Sequence, residues 1–117
     1  MLTVKRVQTL NACAVIIDGV RSLDEVEYFR ERLSGHVVIL AIHASPRTRF
    51  ERLLRRGRPG DPKNWDEFRR RDMKELSWGL GNVIALADIM LVNEGRLNEF
   101  ISSVRNLLRE VLGEWCT

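Results

Sequence analysis

The sequence predicts an α/β domain, a parallel sheet flanked by helices, and three observations carry that prediction. Residues 14–17, 37–43 and 89–92 are short continuous apolar runs without the polar alternation of a half-solvated strand, as expected for strands buried on both faces. Between them lie stretches whose apolar residues recur at helical spacing. Strand, helix and strand over residues 14–43 follow the order of a right-handed βαβ unit.

Leu2, Val4, Val7 and Leu10 recur every two or three residues, which predicts a helix ahead of the first strand. Residues 14–17 (Ala-Val-Ile-Ile) then run into Asp18-Gly19-Val20-Arg21. In open α/β sheets ligands sit beyond the carboxyl ends of the strands, which places Asp18, Gly19 and Arg21 where chemistry happens. Asp-Gly is equally a common turn pair, and an arginine after it is often a solvated charge. Ser22 with Glu25 has the form of a capping box and predicts a helix from about Leu23, with Val26, Phe29 and Leu33 as its apolar stripe and Gly35 as its stop.

Ser45-Pro46 combines a cap with proline at the first helical position. The helix it opens carries Phe50, Leu53 and Leu54 on one side and Arg49, Arg52 and Arg56 on another. Residues 57–62 (Gly-Arg-Pro-Gly-Asp-Pro) break it as a loop. Asn64 and Glu67 predict the next helix, with Trp65, Phe68 and Leu76 toward a core. Asp72 falls on that stripe and needs a partner, because an unpaired buried carboxylate is costly. Arg71 is either a ligand contact or half of an internal ion pair, and Glu75, one turn on, is placed to orient it. Gly79 and Gly81 bracket a turn, Asn82 is a cap for a short helix, and from Leu97 a wide stripe through Leu112 predicts a core-packing helix.

The 117 residues suit one domain spanning 1–117, with no repeats and no internal boundary. No stretch has the length and hydropathy of a membrane span, and the first ten residues lack a secretory apolar run, so a cytoplasmic protein is expected. Cys13 and Cys116 belong to no Cys-x-x-Cys or Cys/His pattern, which argues against a metal site and against a disulfide framework. His36 and His43 flank one apolar run and read as strand-end residues. The formal charge of +3 is unevenly spread: Arg47, Arg49, Arg52, Arg55, Arg56 and Arg58 form one cluster and Arg69, Arg70 and Arg71 another. Arginine's planar fork suits bidentate phosphate contacts, so a phosphorylated ligand is expected, against the alternative of an ion-paired surface. Nucleic acid is not the expected partner, because no aromatic residues interleave the cluster as base-stacking platforms require.

The order of these elements, with the phrases Val-Ile-Ile-Asp-Gly-Val-Arg-Ser, Arg49-Phe50-Glu51-Arg52-Leu53, Arg56-Gly57-Arg58, Arg71-Asp72 and Ala-Asp-Ile-Met-Leu-Val-Asn-Glu-Gly at residues 87–95, resembles the C-terminal part of archaeal P-loop proteins related to adenylate kinase and dephospho-CoA kinase. The resemblance covers nearly the whole chain. It implies a nucleoside-monophosphate-kinase-like P-loop fold and transfer of a phosphoryl group from ATP, with Mg²⁺, to a nucleotide or a dephospho-CoA-like acceptor. It implies that Asp18 orders the magnesium through water and that Arg21 touches the acceptor phosphate. Arg52, Arg56 and Arg71 would be arginines of a mobile lid at about 46–77, with Arg56 and Arg71 on the transferring group. Asn93 and Gly95 would belong to the loop over the base. Phosphoryl transfer is mainly positioning and charge stabilisation, which fits several arginines converging as a lid closes.

Such kinases begin with a strand and a GxxxxGK[ST] phosphate loop, and these 117 residues contain none. The portion that carries it also supplies the strand lying, in that family, between residues 14–17 and 37–43. Three outcomes are expected: the two strands close on each other, a homo-oligomer or partner chain fills the gap, or the sequence is a truncated product. Little or no kinase activity is expected from this chain alone. The alternative is a non-catalytic nucleotide-binding or protein-interaction module.

Overall fold

The structure, a computed structural model, describes residues 2–116. It is an α/β arrangement of six helices and a small parallel sheet among those residues. The order is α1 (Leu2–Thr9), α2 (Leu23–Arg32), β1 (Leu40–His43), α3 (Pro46–Arg56), α4 (Trp65–Ser77), α5 (Leu80–Ala85), β2 (Ile89–Val92) and α6 (Leu97–Trp115).

Local chemistry sets most of the boundaries. Ser22 is extended and its hydroxyl accepts the Glu25 N–H, while the Glu25 carboxylate returns to the Ser22 hydroxyl at 3.1 Å and the Arg21 N–H at 3.3 Å. The reciprocal cap therefore closes one residue outside the usual box, and α2 ends at Arg32, ahead of Gly35. Ser45 caps α3 through the Thr48 N–H with Pro46 behind it, and Gly57 closes the helix in the left-handed conformation at φ 59°. Asn64 caps α4 by accepting the Glu67 N–H at 2.8 Å. Replacing Ser45 with alanine is expected to cost about 1 kcal/mol, read as a lower urea midpoint at unchanged slope. The short α5 corrects the expectation for Asn82: Gly79 occupies the cap position, and Asn82 lies inside the helix.

β1 and β2 pair in parallel, with Leu40 opposite Ile89 and His43 opposite Val92. The Asp88 carboxylate accepts the Ile39 N–H at 2.8 Å and also lies 3.7 Å from Arg30, which fixes where the pairing begins. Two expected strands are corrected. Residues 37–39 precede β1 without strand structure, so the second run is only half strand. Residues 14–17 form no strand; Ile16 is 80% exposed. Their apolar character suits a sheet interior, but the free edge of β1 is not paired with them, and an apolar run forms a strand only when a neighbour takes up its N–H and C=O groups.

The core is correspondingly thin. Val4, Val26, Phe29, Ala41, Ala44, Phe68 and Val83 are its buried apolar residues. Val4 and Val7 turn the α1 stripe inward, and the side chain of Leu2 in the same stripe lies outside the described residues. Leu40 and Ile42 on one sheet face and Met90 and Val92 on the other remain exposed. Helix α6 has the predicted length and stripe, yet none of its residues is fully buried and Leu97 is 70% exposed, which corrects its reading as a core helix. The radius of gyration is 16.4 Å, whereas a compact chain of this length gives about 13 Å. The accessible surface is 9026 Å², against roughly 6,600 Å² for a compact protein of this mass. That excess is of the size an obligate interface removes from one partner.

Cys13 and Cys116 are joined by a disulfide, with 5.3 Å between their Cα atoms, across 103 residues of sequence. The expectation of no disulfide is corrected here. Sequence spacing gave no sign of the bond, because it depends on the fold returning the end of α6 to the segment after α1.

Candidate functional site

Helices α3 and α4, joined through residues 57–64, form a helical hairpin that shares a small aromatic cluster. The rings of Phe50, Trp65 and Phe68 lie 5.4 Å apart pairwise, and Phe68 is buried. Arg49 braces the base. Its Nε donates to the Ala44 carbonyl at 2.9 Å, its guanidinium forks onto the Asp72 carboxylate, and it also lies over the Phe68 ring. Arg49 is thus the partner that Asp72 required. A fork of this kind is geometrically selective where a lysine would offer a single point charge.

At the hairpin tip the structure brings together two of the arginines expected in a phosphate site. Arg56 forks onto Asp61 through Nε at 2.9 Å and Nη2 at 2.5 Å. Arg71, from the facing helix, donates to the Gly60 carbonyl and, at 2.6 Å, to the Glu67 carboxylate. Both guanidiniums therefore meet adjacent residues of one loop. Gly60, at φ 91°, adopts a conformation that suits glycine there. Glu75, expected to orient Arg71, instead faces Arg21 at 3.6 Å; Glu67 takes the role. Beside the tip, Asn64, Glu67, Arg70, Arg71 and Lys74 line an open depression of about 450 Å³.

The remaining expected residues sit toward the hairpin base. Asp18 is exposed and one of its oxygens accepts the Gly19 N–H at 2.9 Å. Three residues on, the Arg21–Glu75 pair joins this turn to α4, with the Glu75 Oε2 atom buried and unpartnered. On the other side, the Asn93 N–H donates to the His43 carbonyl at 2.7 Å, continuing the ladder past β2. Glu94 then grips the start of α3, accepting the Ser45 N–H and, at 2.5 Å, the Thr48 hydroxyl. Arg52 adds its charge to the same carboxylate. Gly95 follows closely packed, since a Cβ there would stand 3.0 Å from the Glu99 carboxylate. The seven expected residues thus divide into a tip pair, Arg56 and Arg71, and a base group, Asp18, Arg21, Arg52, Asn93 and Gly95. Asp61, Glu94 and Glu75 were not singled out for the contacts they make. Each pairs across a turn or between elements, where helical spacing carries no signal.

A magnesium ion, implied by the resemblance, would find a single protein carboxylate at Asp18. No cluster of three or more His, Cys, Asp or Glu suited to a metal occurs among the described residues. That donor set fits magnesium held through water and a ligand's phosphates, the usual arrangement for a nucleotide-bound ion, and does not fit an all-protein cage.

The electrostatics of the loops follow from their hydrogen bonds. The Arg56 fork, helped by the Arg58 N–H, holds the Asp61 carboxyl below the usual carboxylate range, and Asp61 in turn raises Arg56. The Thr48 hydroxyl and the Ser45 N–H do the same for Glu94, assisted by the positive charge of Arg52. A depressed folded-state pKa stabilises fully above the unfolded value, near 4, and the contribution is lost as pH falls through the folded value. Acidification from about pH 5 to pH 2 is therefore expected to loosen the tip loop and the 93–95 loop. The Asp61→Asn/Glu94→Gln double variant should show a flatter acid limb of thermal stability than the unaltered chain.

No protein-family model matches the chain. It is similar to UPF0200 proteins of archaea. It is 58% identical to that of Hyperthermus butylicus over 112 residues, covering 96% of this chain and 59% of the relative. The Staphylothermus marinus protein is 55% identical over 98 residues, 84% of this chain and 51% of the relative. The Thermococcus kodakarensis protein is 47% identical over 116 residues, 97% and 63% respectively. The chain thus spans between half and two thirds of the length of these curated relatives.

Proposed function

We propose that this chain is the arginine-bearing part of a P-loop nucleotide-kinase-like protein, and that the α3–α4 hairpin is its phosphate-binding lid. The observation that supports this most is the meeting of Arg56 and Arg71 at one loop, from two facing helices, on a hairpin that shares a small aromatic cluster. Asp61 and the Gly60 carbonyl fill the place an anion would take between them. A nucleotide phosphate entering there exchanges a carboxylate for a more highly charged partner of the same fork geometry. Arg52 adds positive charge nearer the base, and Arg21 sits where an acceptor phosphate would approach the Asp18 turn.

In the complete protein the reaction would be transfer of the terminal phosphoryl group of ATP to a nucleotide or a dephospho-CoA-like acceptor. Magnesium, when bound, supplies charge neutralisation of the phosphates. The work of this chain's residues is to hold and orient. Arg21 fixes the acceptor, Arg56 and Arg71 neutralise charge on the transferring group, and Asn93 and Gly95 close over the base. The phosphate loop and the strand beside β1 would come from further chain of the complete protein, or from a second copy or a partner.

Calorimetric titration of the chain with ATP, with and without Mg²⁺, tests the reading. Measurable binding is expected, weakened about tenfold or more by Arg56→Ala/Arg71→Ala, the loss of about 1.5–3 kcal/mol that goes with a charged hydrogen-bonding partner. Absence of nucleotide binding to the folded chain sinks the proposal. Turnover of ATP by this chain alone is expected to be negligible. The second reading is a module that binds without catalysis, with Arg56 and Arg71 already gathered at one loop by the chain's own Asp61 and Gly60. It predicts magnesium-independent binding that tolerates Asp18→Asn, whereas the kinase reading predicts that Asp18→Asn abolishes activity in a protein with its phosphate loop restored.

A further inference from the structure

We propose that Cys13–Cys116 is a reversible redox site, opened by a dithiol reductant, whose state decides whether the segment carrying Asp18 and Arg21 is held to the end of α6. Three observations carry it. First, both cysteines are exposed, so an attacking thiolate reaches the bond without prior unfolding. Second, among the described residues, no hydrogen bond joins residues 11–17 to the rest of the chain, and this run is unpaired by any strand. The disulfide at Cys13 is its covalent anchor on one side, and the Arg21–Glu75 pair is its anchor on the other. Third, the end of α6 has little else to hold it. Trp115 stacks at 6.5 Å on His36, Cys116 makes one helical hydrogen bond to the Leu112 carbonyl, and no residue of α6 is fully buried.

Opening is ordinary exchange. A thiolate of the dithiol attacks one Sγ and forms a mixed disulfide, and the other cysteine leaves as a thiolate and takes up a proton. The second thiol of the reductant then displaces the remaining cysteine and becomes oxidised. The protein gains two electrons and two protons, and the dithiol becomes a disulfide. The elements with their own ties stay in place: α1 keeps buried Val4 and the Gln8 bond to the Arg32 carbonyl at 3.0 Å, and the hairpin keeps its aromatic core and its arginine forks. The site acts independently of any nucleotide.

The test uses the purified full chain, air-oxidised and then treated with dithiothreitol. Alkylation followed by intact mass should add no group before reduction and two groups after it, with the bond returning on reoxidation. Amide exchange over the last two turns of α6 should quicken on reduction at least tenfold more than exchange over residues 46–77 does. The Cys13→Ser/Cys116→Ser variant should show the fast α6 exchange with or without dithiothreitol. Two free thiols in the oxidised chain, a bond that resists dithiothreitol, or α6 exchange that ignores the redox state each overturns the proposal. Equal loosening of α6 and of residues 46–77 also overturns it, since that is general destabilisation and not release of one segment.

Discussion

Replacing Phe68 with alanine is expected to lower stability by about 3–4 kcal/mol, the usual loss when a buried aromatic is cut to a methyl. Phe68 is the buried ring of the hairpin. It touches Phe50 and Trp65 and lies beneath the Arg49 guanidinium, so one truncation removes apolar burial, ring contacts and a cation–π contact together. The α3–α4 packing has no second layer with which to close the cavity, because Trp65 and Leu76 are themselves partly exposed. Phe68→Leu, which keeps most of the volume, should cost about 1–2 kcal/mol. Urea unfolding followed by tryptophan fluorescence measures both, and a loss below about 1 kcal/mol for Phe68→Ala would show that the ring cluster does not hold the hairpin.

Reduction of Cys13–Cys116 is expected to be the other large effect, about 2–4 kcal/mol. Closing a loop of about 100 residues restricts the unfolded chain by an amount worth nearly 5 kcal/mol in the chain-entropy description. The folded chain recovers part of that, because the freed ends gain motion when the bond opens. Scanning calorimetry of oxidised and reduced chain should separate their midpoints by roughly 6–15 °C, at about 3–4 °C per kcal/mol for a chain of this size. No separation would mean that the bond constrains nothing the unfolded chain would otherwise explore.

The two effects differ in how far the sequence announces them. The caps at Ser22, Ser45 and Asn64 and the left-handed stop at Gly57 are decided within four residues, and each is legible as written. The need of Asp72 for a partner is legible too, but the identity of Arg49 is not, since it lies on another helix. Residues 14–17 read as a strand because their composition suits a sheet interior. Whether they become one depends on a neighbouring strand, and that information is not local. The stripe of α6 announces a helix and its apolar side, but nothing in a stripe says how much will cover it. Of the candidate site, residue types and their order along the chain were visible; the grouping of Arg56 with Arg71 required the turn at residues 57–62 to be folded, and that of Arg21 with Glu75 required α4 to lie beside the segment after Asp18.

The uncovered apolar residues on both faces of the β1–β2 pair have a thermodynamic meaning as well as a geometric one. A two-stranded sheet is marginal on its own, and Leu40, Ile42, Met90 and Val92 together keep about half of their transfer free energy unrealised while they face water. For any chain that covers them, folding and association become one equilibrium. Stability then rises with the logarithm of that chain's free concentration over its dissociation constant, so a melting temperature for these 117 residues is a property of a solution's composition rather than of the sequence alone.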